Sequence, residues 1–226
     1  MIAEKFDKEV SRLREQLINI EENWDAKNCI VEMKDNGYPH WRQMEWIGFY
    51  FQYRCEKELQ TTGMIYQSPT YGRSSFDGLL KYPWDFKAHP LFDKNLRPIT
   101  KLITNDSEAT ANAVQTYGAV GLILASGIAI YNDEDGTFKA WHEKIKGGKS
   151  SYEIERIQRS APSRRRKTSF KLKKIEFIKI TDTTLLRAGS FQEDFRNSNG
   201  NPRRPKVLLD LVNLPRNEII DEINFS

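Results

Sequence analysis

Cysteine and histidine are scarce in this chain, and their scarcity removes whole classes of chemistry. Cys29 and Cys55 are the only two cysteines in 226 residues, too few for a disulfide scaffold or a thiolate metal cluster, and they suit a reducing compartment. The three histidines, His40, His89 and His142, stand far apart in sequence, and no companions have the spacing of a zinc site, although His142 in Trp141-His142-Glu143-Lys144 invites the comparison. No glycine-rich triphosphate-binding motif and no internal repeat are found. Long apolar runs are missing too: the longest, residues 119–130, is broken by glycine and serine and is too short to span a bilayer. The first residues carry charges where a leader needs apolar side chains. The expectation is a cytoplasmic protein with no membrane partner.

What remains is a folding composition with lopsided charge. A hydrophobic fraction of 38% with 29% charged residues describes a globular chain, and 226 residues supply one sizeable core without requiring two domains. The formal charge of +4 conceals a gradient. Residues 139–180 carry 14 Lys or Arg against 4 Asp or Glu, an excess of +10, while the other 21 basic and 27 acidic residues sum to −6. One region can therefore attract a polyanion.

Periodicity divides the chain into three parts. In residues 1–36, Phe6, Val10, Leu13, Leu17, Ile20 and Trp24 alternate at spacings of four and three, the stripe of an amphipathic helix. That stripe has two possible partners: the chain's own core or a second subunit. In residues 37–135, Gly37-Tyr38-Pro39 breaks the pattern and a second helix is expected from near His40, burying Trp41, Met44, Gly48, Phe51, Cys55 and Leu59, with Glu45 beside the stripe. Three strands follow, at residues 64–67, 74–80 and 84–89, then a capped helix at 105–115 and a wholly apolar strand at 120–124, with 128–131 as a further strand. Residues 136–226 alternate basic and apolar residues around Gly147-Gly148, then offer a loop at 161–167, a strand at 171–180 with imperfect alternation, a polar loop at 197–205 and an apolar segment at 207–212. Element order alone points to an α/β core of helix, three strands, helix, strand.

Residues two apart in a strand share a face, so Asp85, Lys87 and His89 project together while Trp84, Phe86 and Ala88 take the other side. A tight connection through residues 81–83 would set Asp77, on the preceding strand, beside them. Two carboxylates, with the Phe86 carbonyl nearby, are hard oxygen ligands of the kind Mg²⁺ takes. Such an ion can acidify a water and polarise a phosphoryl oxygen, and Lys87 adds a cation where charge develops. The plainer alternative is that Asp77 serves a turn and Asp85 with Lys87 forms a solvated pair worth about 0.3 kcal/mol. His89, beside Pro90, is expected to serve the fold more than the chemistry.

Asp77, seven intervening residues, then Asp85-Phe86-Lys87 resembles the PD-(D/E)xK signature of the restriction-endonuclease-like superfamily. Phe76 stands where the motif's name has proline, a departure that removes no ligand. The resemblance implies a restriction-endonuclease-like mixed sheet flanked by helices, with residues 37–135 as the nuclease core and 136–226 as a basic, core-completing extension. It also implies that Asp77 and Asp85 bind Mg²⁺, with Mn²⁺ able to substitute, that Lys87 helps activate water, and that Glu45 is the additional carboxylate on the helix before the sheet. The compact length is similar to that of a stand-alone Type II restriction endonuclease, which implies site-specific cutting of double-stranded DNA by a homodimer.

Lys144, Lys146, Lys149, Arg156, Arg159, Arg164, Arg165, Arg166 and Lys167, extended by Arg203 and Arg204, form the expected footprint on the DNA backbone. One or two arginines among residues 164–166 would read guanine edges. Two other functions fit the same residues. A structure-specific repair or recombination nuclease would share the core but read shape, and a noncatalytic DNA-binding regulator would bind without metal-dependent scission.

Overall fold

The computed structural model describes residues 2–66, 76–163, 165–192 and 204–226. Helix α1 (Ile2–Leu17) leads into a short strand β1 (Asn23–Asp25) and helix α2 (Ala26–Asp35), whose first turn is capped by the Asp25 carboxylate accepting the Asn28 N–H at 3.0 Å. A 3₁₀ turn (Pro39–Arg42) precedes helix α3 (Trp46–Glu58). Short strands β2 (Ile65–Tyr66) and β3 (Gly78–Leu79) are followed by β4 (Pro83–Pro90), β5 (Lys101–Asp106), helix α4 (Ser107–Tyr117) and the long β6 (Val120–Ile130). Helices α5 (Thr137–Ile145) and α6 (Ser151–Gln158), strand β7 (Ser169–Ile180), helix α7 (Asp182–Ala188) and strands β8 (Gly189–Gln192), β9 (Lys206–Asp210) and β10 (Ile219–Asn224) complete the chain.

The main sheet has the order β1-β7-β6-β4-β3-β2, with β10 sharing the β1 side of β7. Only β4 and β6 run parallel; the rest of this sheet is antiparallel, so it is mixed as expected. A smaller sheet, β5-β9-β8, is separate. Strand β6 is buried on both faces. Ile123 and Ala125 join the core under α1, α2 and α3, whereas Val120, Leu122 and Leu124 join a second core with Leu102, Val114 and Leu209. A helical layer on one face and α4 with the small sheet on the other give an α/β sandwich.

The N-terminal stripe is consumed within the chain. Phe6, Val10, Leu13 and Leu17 are fully buried in the first core, so these residues of the stripe pack on the chain's own core. The helix stops at Leu17, and Trp24 belongs to β1, where its ring lies 5.0 to 6.2 Å from those of Tyr50, Phe51 and Phe170.

Four sequence expectations change. Strand β5 stands between β4 and α4, where the expected order had none, and it belongs to the smaller sheet. Helix α3 begins at Trp46 rather than near His40, because Pro39 opens a 3₁₀ turn that ends at Gln43 in extended backbone, which leaves Trp41 and Met44 outside the helix. The separate strand at 128–131 is the continuation of β6. The imperfect alternation of β7 is a β-bulge: Ser126 pairs with Lys174 but Gly127 pairs with Leu172, so Lys173 is the extra residue. Leu172 and Ile175, three apart, then both reach the first core. Residues 67–75 and 193–203, which hold part of the expected second strand and most of the 197–205 loop, lie outside the described residues.

Candidate active site

Strand β4 is fixed from its apolar side. Trp84 stacks on Phe6 at 5.2 Å and donates its indole N–H to the Glu9 carboxylate at 3.0 Å; the other oxygen of Glu9 accepts the Lys81 backbone N–H at 2.9 Å. One residue of α1 thus clamps both the strand and the turn leading into it, and burial raises the pKa of Glu9 in that position. Across the sheet the partner of Trp84 is Gly121, where any Cβ would run into the indole ring. With Trp84 and Phe86 held in the first core, the alternation of the strand aims Asp85 and Lys87 at the opposite face.

The β3–β4 pairing, Gly78 opposite Trp84 and Leu79 opposite Pro83, brings Asp77 alongside. One Asp77 oxygen accepts the Phe86 backbone N–H at 2.7 Å, and the other accepts the Gln52 side-chain N–H at 3.1 Å from α3. Lys87 Nζ lies 2.7 Å from Asp85 Oδ1, and Asp85 Oδ2 is buried. Asp77, Asp85 and Lys87, the three residues expected to share a site, do come together.

Their electrostatics are those of a site lacking positive charge. Burial raises the Asp77 pKa to about 8, with the Asp85 carboxylate adding to the rise and Lys87 opposing it. Burial alone would lower Lys87, but Asp85 and then Asp77 outweigh it, so its pKa is raised and the ammonium stays charged. Two carboxylates beside one ammonium keep a proton between them, with Asp77 hydrogen-bonded to Asp85. A divalent cation would take the place of that proton, so the pair fits a metal. Asp77 and Asp85 would hold it, with the Phe86 carbonyl alongside. Among the described residues no group of three or more His, Cys, Asp or Glu side chains gathers around a metal-sized position. Water would complete the shell, which is the habit of Mg²⁺.

Glu45 stands apart from that contact. It immediately precedes α3, its side chain is 61% exposed, and it pairs with Lys167. Both residues nevertheless line the groove of about 230 Å³ that contains Gln52, Phe86 and Lys87, so Glu45 occupies the rim rather than the carboxylate pair.

Sequence reasoning missed Gln52. Its amide donates to Asp77 and, at 3.2 Å, to Glu56 one turn later, and Glu56 also accepts the Tyr38 hydroxyl at 3.4 Å. A glutamine buried on an otherwise apolar helical face was the available signal. Gln52→Ala should raise the half-saturating Mg²⁺ concentration for cleavage about 10-fold with little change in the rate at saturation, because the residue orients a ligand. A metal titration of cleavage rates checks this, and an unchanged midpoint would remove Gln52 from the site.

Both buried histidines serve the fold. His89 Nε2 lies 3.2 Å from Ser126 Oγ and His142 Nε2 lies 3.3 Å from the Trp41 carbonyl; burial pushes each down to about 4, so both are neutral near pH 7.

The basic residues divide by partner. Arg156 grips Glu153 with two N–H groups, at 2.7 and 2.9 Å, and also donates to the Ala161 carbonyl, a commitment that the count of charges in the sequence did not foresee. Arg165 pairs with Glu134 at 3.0 Å, and Lys167 with Glu45. Lys144, Lys149, Arg159 and Arg204 are exposed, while Lys146 and Arg166 are half-buried. Arg164 and Arg203 lie outside the described residues.

No family model, curated protein or solved structure matches this chain. Among the described residues, no helix is long and apolar enough to cross a membrane.

Proposed function

We propose that the chain is a Mg²⁺-dependent nuclease that cuts double-stranded DNA at specific sites in the manner of a Type II restriction endonuclease, acting in the cytoplasm as a homodimer. The observation that carries this reading is the contact of Asp77, Asp85 and Lys87, with a proton held between the two carboxylates. A bound Mg²⁺ would supply a Lewis acid for the phosphoryl oxygen and a more acidic water, and Mn²⁺ would serve in its place. Lys87, held on Asp85, is placed to orient that water and to offset negative charge building on the phosphate. Asp77 must release its proton to act as a ligand, and Gln52 with the Phe86 N–H fixes which oxygens it presents.

The groove that Lys87 and Gln52 line has Lys167 on its rim, and the exposed cations Lys144 and Lys149 belong to the following region of the chain. Positive charge of that kind holds a phosphate backbone without reading sequence, so specificity would fall to arginines such as Arg165 and Arg166. A second subunit would supply the cut on the other strand, through a surface other than the buried α1 stripe.

The test is incubation of the purified protein with diverse unmethylated duplex DNA in Mg²⁺ or EDTA, beside Asp85→Asn. Discrete fragments should form only with the unaltered protein and metal. Cutting that persists in folded Asp85→Asn would end the assignment. A structure-specific repair or recombination nuclease is a second reading, favoured by an arginine-lined cavity next to the groove.

A further inference from the structure

A cavity of about 330 Å³ opens on the other side of the turn that carries Glu45. Met44 and Arg166 line it, while their immediate neighbours Glu45 and Lys167 line the catalytic groove, so the two recesses share a wall. Glu153, 4% exposed, is saturated there: Arg156 holds it with two N–H groups and Lys139 adds a second cation, and the hydrogen bonds from Arg156 lead the influences that push its pKa down to about 2. That carboxylate pairs with Arg156 and Lys139 and acts on Arg166 and Lys146 only from a distance, without pairing with either.

Arg166 and Arg159 are the neighbours that a further anion would serve. Neither takes part in any of the ion pairs formed among the described residues; Arg159 donates only to the Glu155 backbone carbonyl, at 3.3 Å. Burial depresses the Arg166 pKa, and Lys146 is depressed by burial and then by Arg166 itself. The half-buried Arg166 and Lys146 repel one another and hold free energy that a bound anion would recover, while Arg159 offers its fork from the exposed edge of the cavity.

We propose that this cavity binds a phosphate dianion, presented as the terminal phosphomonoester of a nucleic acid or as free phosphate. Charge decides between a terminus and an internal linkage. The lining has three arginines, Arg156, Arg159 and Arg166, against one glutamate, Glu153, a net of +2; behind it stand Lys139 and, acting on Arg166, Asp133, Glu143 and Glu45. A phosphomonoester carries about −1.5 to −2 near pH 7 and balances that lining; a phosphodiester, with a single charge, leaves half of it uncompensated. The planar forks of Arg159 and Arg166 suit the several oxygens of a terminal phosphate. Occupancy would place a chain end one wall away from the groove, which separates an end-guided nuclease from one that reads internal sites. The binding itself does not depend on cleavage.

The experiment uses the full chain in EDTA, so that nothing is cut. Fluorescence anisotropy compares one labelled duplex with a 5′-phosphate and with a 5′-hydroxyl, inorganic phosphate serves as competitor, and Arg166→Ala, Arg166→Gln and the exposed-site control Lys94→Ala are run in parallel. The expected result is binding about 10-fold tighter for the phosphorylated end, about 1.4 kcal/mol, lost in both Arg166 variants and kept in Lys94→Ala. Phosphate that raises the melting temperature of the unaltered protein, but not of a folded Arg166 variant, without any preference for the phosphorylated end would assign the cavity to the free anion. Equal binding of the two ends together with no response to phosphate, or a preference that survives both Arg166 substitutions, overturns the proposal.

Discussion

Replacing Lys87 by alanine should slow single-turnover DNA cleavage by about 10²- to 10³-fold at saturating Mg²⁺ while leaving the metal-free protein folded. Both halves follow from one geometry. Among the described residues the ammonium is the only cation in contact with the carboxylate pair, 2.7 Å from Asp85 and close enough to lower Asp77, so it is positioned to meet charge developing on a phosphate. Deleting one member of a buried ion pair usually costs about 3 to 5 kcal/mol because a bare charge is left behind. The charge left behind here is that of Asp85, which is buried and which Asp77, already holding its proton, does not neutralise. The loss should therefore appear in the rate and also as a lower melting temperature of the metal-free protein. Rapid-quench cleavage alongside a thermal melt in EDTA measures both, and cleavage at the normal rate in Lys87→Ala would withdraw the role given to this lysine.

That carboxylate-lysine contact was legible because it rests on short-range rules. The two-residue period of a strand puts Asp85 and Lys87 on one face whatever the rest of the chain does, and a connection of only a few residues leaves Asp77 little freedom in where it lands. Glu45 was less legible because its position depended on where α3 begins. An apolar Trp41 and Met44 extend the helical pattern backwards, and only the extended backbone at Gln43 shows that the helix has not yet started. Gln52 could not be placed at all, since its role exists only once α3 packs on β4, a contact that sequence spacing does not encode. The β7 bulge was hidden for a related reason: its signature is a broken alternation, which in sequence resembles a weak strand, and only the pairing with β6 shows that Leu172 and Ile175 point the same way. In the basic region the count of charges was correct but not their availability, because Glu153 claims Arg156 and Lys139 while leaving Arg159 and Arg166 open.

Asp77→Asn should make the metal-free protein more stable at pH 8 and abolish metal-dependent cleavage, a pairing that a purely structural aspartate would not produce. The sign comes from linkage. Asp77 has a folded pKa of about 8 against an ordinary value of 3.8, so between those limits the folded state holds the proton that the unfolded chain has lost, and the stability of the unaltered protein falls as pH rises through that window. Asparagine has no proton to lose, and its side-chain carbonyl can still accept the Phe86 N–H that now lies 2.7 Å from Asp77. The gain should grow by up to about 1.4 kcal/mol per pH unit between 3.8 and about 8, reach several kcal/mol at pH 8, and vanish near pH 4. The same proton must leave before a cation can bind, so in the unaltered protein the Mg²⁺ midpoint should fall with rising pH, by up to about 10-fold per unit, and level off above about pH 8. Thermal melts from pH 4 to pH 9, with and without Mg²⁺, test all of this in one series. Metal-free stability that does not change between pH 5 and 8, or an Asp77→Asn protein that Mg²⁺ still stabilises as well as the original, would mean that the proton does not reside on this carboxylate.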